Sequence, residues 1–392
     1  MLRCSRTTKP LATKFRRLPR RPSMRRLEQK FYCQSLDAQN LPSEAGLASV
    51  WARPQRDLHF RTRQGALFLR ESEEIRELVS YRRLSSPLVR ESTSRSATAT
   101  DGALEAVLTA SQGVRALVEK TRTRHRATVD GLEVTVDVDR VVGLGDFIEL
   151  SLPLTAGVAE ARAQSALTKM AERLRLSGAD ALPYSYADLA VMMESSHRYR
   201  QRLAAGPGPL GRMIILDGAS CSGKTTLGTW LLEEADAGLE LVPRYTTRAP
   251  RPEEHSGSEY LFTSMEALHR LTEAGELFEY RDFEFGMSYG LPWELAVDRL
   301  LTGRNGLGIM NLGNVCHLKR VFPEAVTVLI HAPIEVIERR LRERGMPEDH
   351  IAERLGNARR VESYRAFYDH VVVNNDGRLA EAKAALLRIV QS

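Results

Sequence analysis

Residues 218–225 read GASCSGKT, an instance of G-x-x-x-x-G-K-[ST]. The apolar run MIILD (213–217) leads into this stretch, and TTLGTWLLEEA follows it with helical character. A strand, a glycine-rich turn and a helix in that order let several backbone N–H groups converge on one phosphate at a helix N-terminus. In such a loop Lys224 reaches the outer phosphates and Thr225 is placed to hold Mg²⁺. A loop of this kind needs a strand to launch it and a helix to receive it, so it points to an α/β architecture around it.

The rest of the chain after residue 211 agrees. RMIILD, LVPRYT, NGLGIMN, VTVLIH and HVVVN are apolar strand candidates. They alternate with helical stretches from Gly223, near 265–274, from Ile334 and near 378–390. That alternation predicts a parallel sheet flanked by helices. Before it lies AAGPGPLG (204–211), where glycine and proline alternate and no helix or strand persists, and we read it as a linker. Upstream the pattern changes to closely spaced strands: QRDLHFRTR, GALFLRE, ELVSYRRL, ALVEKTRTRHRATV, LEVTVDVDRV and DFIELSLPL. Asp130-Gly131 marks a hairpin turn between two of them, and a helix is expected over roughly 157–176. An α+β antiparallel sheet or barrel followed by an α/β domain is the expected fold class. The expected division is a basic leader (1–24), a strand-rich unit (25–203), the linker and a phosphate-loop unit (212–392).

Charge is unevenly spread. The net charge is +6, but residues 1–26 carry ten Lys or Arg and no acid, so the remainder is −4. A general polyanion-binding surface is therefore not implied for the folded part. The leader reads as a transit peptide, a nucleic-acid arm or upstream sequence included by a wrong start codon, and the last is favoured because Met24 offers a start. Four scattered cysteines without a CxxC pair argue against a disulfide framework or zinc site, and a cytoplasmic setting is expected. No apolar window approaches 18 residues, so a membrane partner is not expected, and neither is nucleic acid. Oligomeric state is open.

From about Arg212 onward the chain resembles the guanylate kinase family. The resemblance is carried by the phosphate loop, by TTRAPRPEEHSGSEYLF (246–262), by LFEY (277–280), by Tyr289-Gly290, by RLRERG (340–345), by IAERL (351–355) and by the closing VVVNND. It implies an ATP- and Mg²⁺-dependent phosphoryl transfer to GMP or a similar nucleoside monophosphate. ATP would lie against Gly218, Ala219, Ser220, Cys221, Ser222, Gly223, Lys224, Thr225, Thr226 and Asn374. Arg248, Arg251, Tyr260 and Tyr289 would grip the acceptor phosphate, since guanidinium forks and phenol hydroxyls suit its oxygens. Arg344 and Arg354 would join Lys224 in neutralising the transferring group. Positioning and charge stabilisation then carry the reaction, with no protein nucleophile.

The groups that read the guanine base are less complete. Glu279 is present, but Arg244 and Leu291 stand where the family has serines, and Ile309 and Asn311 where it has aspartates. Loss of paired polar groups weakens discrimination. Some of these departures resemble the ribose 1,5-bisphosphate phosphokinases, whose R-Y-x-T-R matches 244–248 and whose N-N-D-G matches 374–377. Arg244 suits an acceptor with a second phosphate. Both acceptors stay open.

In the strand-rich half, alternation places Lys120, Arg122, Arg124 and Arg126 on one face, Glu28 and Lys30 on one, and Asp137 and Asp139 on one. Solvated faces and a charged barrel interior both produce that pattern. Residues 27–190 are similar to the CYTH family, the triphosphate-tunnel fold with an adenylyl cyclase branch, through LEQKF, QRDLHF, LVSYRRL, VEKTR, DVDRVVGLGDFIEL and LPYSYADL. That likeness implies a triphosphate or polyphosphate against Lys30, Arg70, Arg82, Lys120 and Arg122, with Mg²⁺ or Mn²⁺ on Glu28, Asp139 and Glu149. Arg26 and Ser151 replace two of the family's carboxylates and Phe68 one of its arginines, which favours binding over fast catalysis. A scaffold with an inactive barrel is the competing reading.

Overall fold

The computed structural model describes residues 24–33, 41–62, 65–73, 76–83, 89–96, 102–155, 157–176, 181–182, 184–235, 237–250, 259–282, 287–310, 315–363 and 365–392. Its first half is built from β1 (Met24–Tyr32), β2 (Ala48–Phe60), β3 (Ala66–Glu71), β4 (Arg76–Arg83), β5 (Val89–Ser96), helix α1 (Ala103–Gln112), β6 (Val114–Val129), β7 (Leu132–Val141), β8 (Gly145–Pro153), helix α2 (Glu160–Arg173), β9 (Ala181–Leu182) and helix α3 (Tyr186–Ala204). The strands form one curled antiparallel sheet in the order β5-β4-β3-β2-β6-β7-β8-β1-β9. Because β1 pairs with β8 and also with β5, the ladder returns to its starting strand.

The β6–β7 hairpin sets the register that matters most. Asp130 and Gly131 both have positive φ, 49° and 75°, the combination a tight two-residue hairpin needs. From there the ladder places Arg124 opposite Asp137 and Arg122 opposite Asp139. The opposite side chains, Val134, Val136, Val138, Ile148, Leu150 and Leu152, pack on Ala163, Ala166, Leu167 and Met170 of α2. One face of this part of the sheet is thus apolar and covered by a helix. The other, inward face carries the charges.

The second half contains β10 (Met213–Asp217), α4 (Lys224–Glu233), β11 (Leu239–Leu241), β12 (Arg244–Thr246), β13 (Tyr260–Phe262), α5 (Met265–Glu273), β14 (Leu277–Asp282), β15 (Ser288–Pro292), α6 (Trp293–Leu301), β16 (Asn305–Ile309), α7 (Val315–Val321), β17 (Val326–His331), α8 (Ile334–Glu343), α9 (Glu348–Ser363), β18 (His370–Val373) and α10 (Leu379–Gln391). A parallel sheet runs β11-β16-β10-β17-β18, and a second, mixed sheet runs β13-β12-β15-β14. The single strand expected at LVPRYT is in fact two. Residues 239–241 belong to the parallel sheet and 244–246 to the mixed one. Pro243 lies between them, and its missing N–H interrupts any continuous ladder.

Helix α3 has no counterpart in the sequence reading. Ser185 caps it and forms a reciprocal capping box with Asp188. Its buried residues include Tyr186, Leu189, Val191, Met192, Ser195, Ser196, Tyr199 and Leu203, which wrap around more than one face. One core cluster joins Val118, Val141, Leu144 and Phe147 of the curled sheet, through α3, to Met213, Ile215, Phe278, Leu291 and Trp293 of the second half. Residues 204–211 follow α3 without strand or further helix beyond Ala204, yet they are pinned: a Cβ on Gly211 would lie 1.8 Å from the carbonyl oxygen of Arg304. Among the described residues no helix is long and apolar enough to cross a membrane.

Candidate active site

The phosphate loop leaves the C-terminal end of β10 and enters α4 at Lys224. Gly218 and Gly223 have φ of 152° and 96°, and Cys221 adopts the left-handed region at 64°. Glycine at 218 is enforced by space as well, since a Cβ there would approach the Ile330 carbonyl oxygen at 2.3 Å. The Lys224 ammonium folds over its own loop and donates to the carbonyls of Gly218 and Ala219 at 2.8 and 2.9 Å. Burial lowers its pKa to about 8, with Asp217 opposing and the charges of Arg244 and Arg344 adding to the shift. Thr225 and Thr226 stand exposed at the first turn of α4.

Neighbouring elements brace the loop. Asp217 accepts from the Gly218 N–H at 2.7 Å and from the Tyr368 hydroxyl. Asn374, at the end of β18, donates to the Ser222 carbonyl at 2.8 Å. Arg354 of α9 donates to the Ser220 hydroxyl at 2.8 Å. Arg340 of α8 donates to the Cys221 carbonyl at 3.0 Å and to Asp376 at 2.7 Å. Arg344 caps the end of α8, exposed. Asp217, Arg340 and Tyr368 were not singled out from the sequence, although Arg340 lies one helical turn before Arg344.

The mixed sheet supplies the second half of the site. Arg244 on β12 is in register with Tyr260 on β13, and Thr246 with Tyr289 on β15. The Arg244 guanidinium lies over the Tyr289 ring at 5.1 Å, and Arg248 lies over the Tyr260 ring at 5.1 Å. The two tyrosine rings are 6.0 Å apart. Arg244 also pairs with Glu279 of β14 at 3.0 Å, and the two residues are only 7% and 4% exposed. Arg251 and Asn311 lie outside the described residues. Arg244, Arg248, Tyr260, Tyr289 and Glu279 are thus one contiguous cluster. It adjoins the strand that launches the phosphate loop, since Arg244 lies 3.5 Å from the carbonyl of Ile309, which pairs with Leu216 of β10.

The inward face of the curled sheet gathers Lys30, Arg70, Lys120, Arg122 and Arg124, and each is matched by a carboxylate. Arg70 binds both oxygens of Asp57 at 2.7 Å, and Lys120 reaches the same carboxylate at 3.1 Å. Arg122 grips Asp139 at 2.7 and 2.6 Å and touches Glu149 at 3.2 Å, while Arg124 grips Asp137 at 2.7 Å through both nitrogens. Lys30 lies 3.5 Å from Glu149. Burial alone would raise the Asp57 carboxyl, but Lys120 and Arg70 hold it well below the usual range. The Tyr186 ring meets Lys30 at 4.0 Å and Lys120 at 5.0 Å, and its hydroxyl donates to Asp139 at 2.7 Å.

Several expectations resolve differently here. Arg126 keeps the face of Arg124 by register but lies about half-exposed at its rim beside Glu133, away from the buried cations. Asp139 and Glu149 are engaged by Arg122. Among the described residues no three His, Cys, Asp or Glu side chains assemble as a metal centre, so Glu28, Asp139 and Glu149 are not brought together as one. Phe68 stacks on His59 at 4.6 Å and lies under Arg70 at 5.0 Å, a packing role. The Arg82 side chain is outside the described residues. Asp57 and Tyr186 were missed; alternation in QRDLHF could only have set Asp57 on the face opposite Leu58 and Phe60.

A family model described as guanylate kinase matches residues 210–392. The chain is 37% identical over 175 residues to a guanylate kinase of Corynebacterium diphtheriae, covering 44% of this chain and 91% of that one. It is 34% identical over 179 residues to one of a Synechococcus species, covering 45% and 82%. Among solved structures, guanylate kinase from Anaplasma phagocytophilum is similar at 24% identity and a TM-score of 0.38, covering 47% of this chain and 86% of that one.

Proposed function

Since the chain belongs to the guanylate kinase family through residues 210–392, we propose that it transfers a phosphoryl group from ATP to the phosphate of GMP or a similar nucleoside monophosphate. An acceptor phosphate oxygen forms the new bond to the γ-phosphorus of ATP as the bond to the β–γ bridging oxygen breaks, and ADP leaves. The observation that carries this reading is the placement of two anion-binding sets on adjoining elements: β10 launches the phosphate loop with Lys224, and its neighbour β16 ends at the Ile309 carbonyl, 3.5 Å from Arg244 of the cluster with Arg248, Tyr260 and Tyr289. Loop N–H groups and Lys224 hold the outer phosphates of ATP. Arg248, Arg251, Tyr260 and Tyr289 hold the acceptor. Arg354, now resting on Ser220, and Arg344 swing their charge to the transferring group. The exposed Thr225 hydroxyl suits Mg²⁺, which takes few protein ligands when it arrives with a nucleotide and would offset negative charge on the phosphates.

Ribose 1,5-bisphosphate is the second reading, and one observation favours it. Arg244 takes up Glu279, the one base-reading group that the family resemblance implies is retained. A guanidinium offers only donors, which match phosphate oxygens and not the donor edge of guanine. The test is ATP consumption by the full chain with GMP, dGMP, AMP and ribose 1,5-bisphosphate in turn. One of them should turn over, and Lys224→Ala should abolish the rate. Turnover of none despite ATP binding would defeat the kinase reading.

For the first half the reading is a CYTH-type barrel (residues 25–203) joined by 204–211 to the kinase domain (212–392). Its inward cations are suited to a triphosphate or polyphosphate compound. Their internal pairing with Asp57, Asp137, Asp139 and Glu149 favours binding over cyclase or triphosphatase turnover.

A further inference from the structure

Tyr184 and Tyr186 are two residues apart and bind opposite halves of the molecule. Tyr186 donates to Asp139 on the inward face of the curled sheet. Tyr184 donates to the backbone carbonyl of Tyr280 at 2.6 Å. Tyr280 is the residue after Glu279 on β14, so this bond anchors the strand that presents the Arg244–Glu279 pair. Lys30 ties the two tyrosines together. Its ammonium donates to the Tyr184 carbonyl at 3.3 Å while lying over the Tyr186 ring at 4.0 Å. An unbroken set of contacts therefore runs from a lysine of the sheet interior, through one tyrosine, to the backbone of the acceptor strand.

The surroundings make the connection stiff. The Tyr184 ring packs on His317 of α7 in a tilted arrangement, with centroids 4.7 Å apart. Arg320 of the same helix lies over Tyr32 of β1 at 4.0 Å and donates to the Leu144 carbonyl. On the other side, α3 packs so closely on the turn before β14 that a Cβ on Gly275 would lie 2.2 Å from the Ser195 hydroxyl oxygen. Tyr199 of α3 donates to Glu276 at 2.5 Å. Close-packed contacts of this kind pass on a displacement instead of absorbing it.

We propose that Tyr184 is a positioning residue for the acceptor site and that it reports the state of the barrel to β14. The proposal rests on the reading of the barrel as a polyanion-binding unit. Lys30 now engages the Tyr184 carbonyl, Glu149 and the Tyr186 ring, and an anion entering the barrel competes with them for its ammonium. A polyanion that draws the ammonium inward removes it from the Tyr184 carbonyl, and the tyrosine's hold on Tyr280 changes with it. The barrel ligand thereby acts on acceptor binding, not on the phosphate loop.

The experiment uses the full chain with inorganic tripolyphosphate as the barrel probe, comparing the natural protein with Tyr184→Phe and Lys30→Met. Hydrogen exchange of residues 277–282 is followed with and without the probe, and calorimetry measures probe binding separately. Expected are a change of at least threefold in exchange rate in the natural protein, and none in Tyr184→Phe, which still binds the probe. Lys30→Met should resemble the probe-bound state before any probe is added. In turnover assays, Tyr184→Phe should raise the acceptor KM at least fivefold with kcat and the ATP KM within twofold. Probe binding without a change in β14 exchange, or an equal response in Tyr184→Phe, overturns the proposal. Absence of probe binding overturns it together with the barrel reading. The exchange readout needs no turnover, so a failure of the kinase reading is recognised separately.

Discussion

Arg244 and Glu279 face each other at 3.0 Å, with side chains 8% and 5% exposed. A buried pair adds little net stability, but removing one partner strands a charge at a cost of about 3–5 kcal/mol. Glu279→Gln should therefore lower the unfolding free energy by about that amount, whereas Arg244→Met combined with Glu279→Leu should recover most of it. Urea denaturation of the natural protein and these two variants decides this, and a double variant no more stable than Glu279→Gln would refute it. Arg244→Ser carries the functional counterpart. It returns the Glu279 carboxylate to the acceptor pocket and should raise kcat/KM for GMP relative to ribose 1,5-bisphosphate by at least tenfold. An unchanged ratio would remove Arg244 from the determinants of specificity.

Burial lowers the pKa of Lys224 in the ligand-free protein to about 8. Bound phosphate favours the ammonium, so ATP binding takes up a proton when the pH lies above that value. The direction follows: affinity for ATP is flat below about pH 8 and falls as pH rises beyond it, by up to tenfold per unit. Calorimetric titration at pH 9 in buffers of different ionisation enthalpy should show proton uptake, and the same titration at pH 7 should show little. Equal uptake at both pH values would contradict the role given to this lysine.

The phosphate loop was legible because its spacing reflects a local requirement, a turn that brings backbone N–H groups together, which no distant contact has to complete. Alternating strands and helices after residue 211 were legible for the same reason. Helix α3 was not, since its buried residues serve two partners and show no single 3.6-residue stripe. The split at Pro243 was hidden because two three-residue strands in different sheets look like one run. The partners of Lys120 and Arg122 were equally hidden. Alternation gave the face on which these residues lie, but the register opposite Asp139 and the reach to Asp57 belong to long-range pairing.

Asp57 supplies negative charge where the barrel reading would place a ligand. Arg70 and Lys120 both spend hydrogen bonds on it, so an incoming phosphate competes with this carboxylate. Asp57→Asn should strengthen tripolyphosphate binding by about tenfold, equivalent to ~1.4 kcal/mol, and weaken the ligand-free protein by about 3–5 kcal/mol. Added tripolyphosphate should then raise the melting temperature of the variant more than that of the natural protein. Weaker binding in the variant would mean that Asp57 orders the cations for the ligand and does not compete with it.

Two buried histidines make stability depend on pH in a definite direction. Burial lowers His317 to about 3, with Arg320 adding to the shift, and lowers His59 to about 4 against the opposing charge of Asp57. Both folded values lie below the ordinary 6.5, so the unfolded chain takes up protons first. Stability from this source is complete above about pH 6.5 and is lost as pH falls towards the folded values. Between pH 6 and 5 the two sites together approach ~2.7 kcal/mol per unit. His317 packs against the Tyr184 ring where the two halves meet, so an aromatic replacement that cannot titrate keeps the contact. His317→Phe should reduce the slope of unfolding free energy against pH by about half over that interval. Denaturant titrations at pH 6.0, 5.5 and 5.0 measure it, and an unaltered slope would show that His317 does not set the acid limit of the fold.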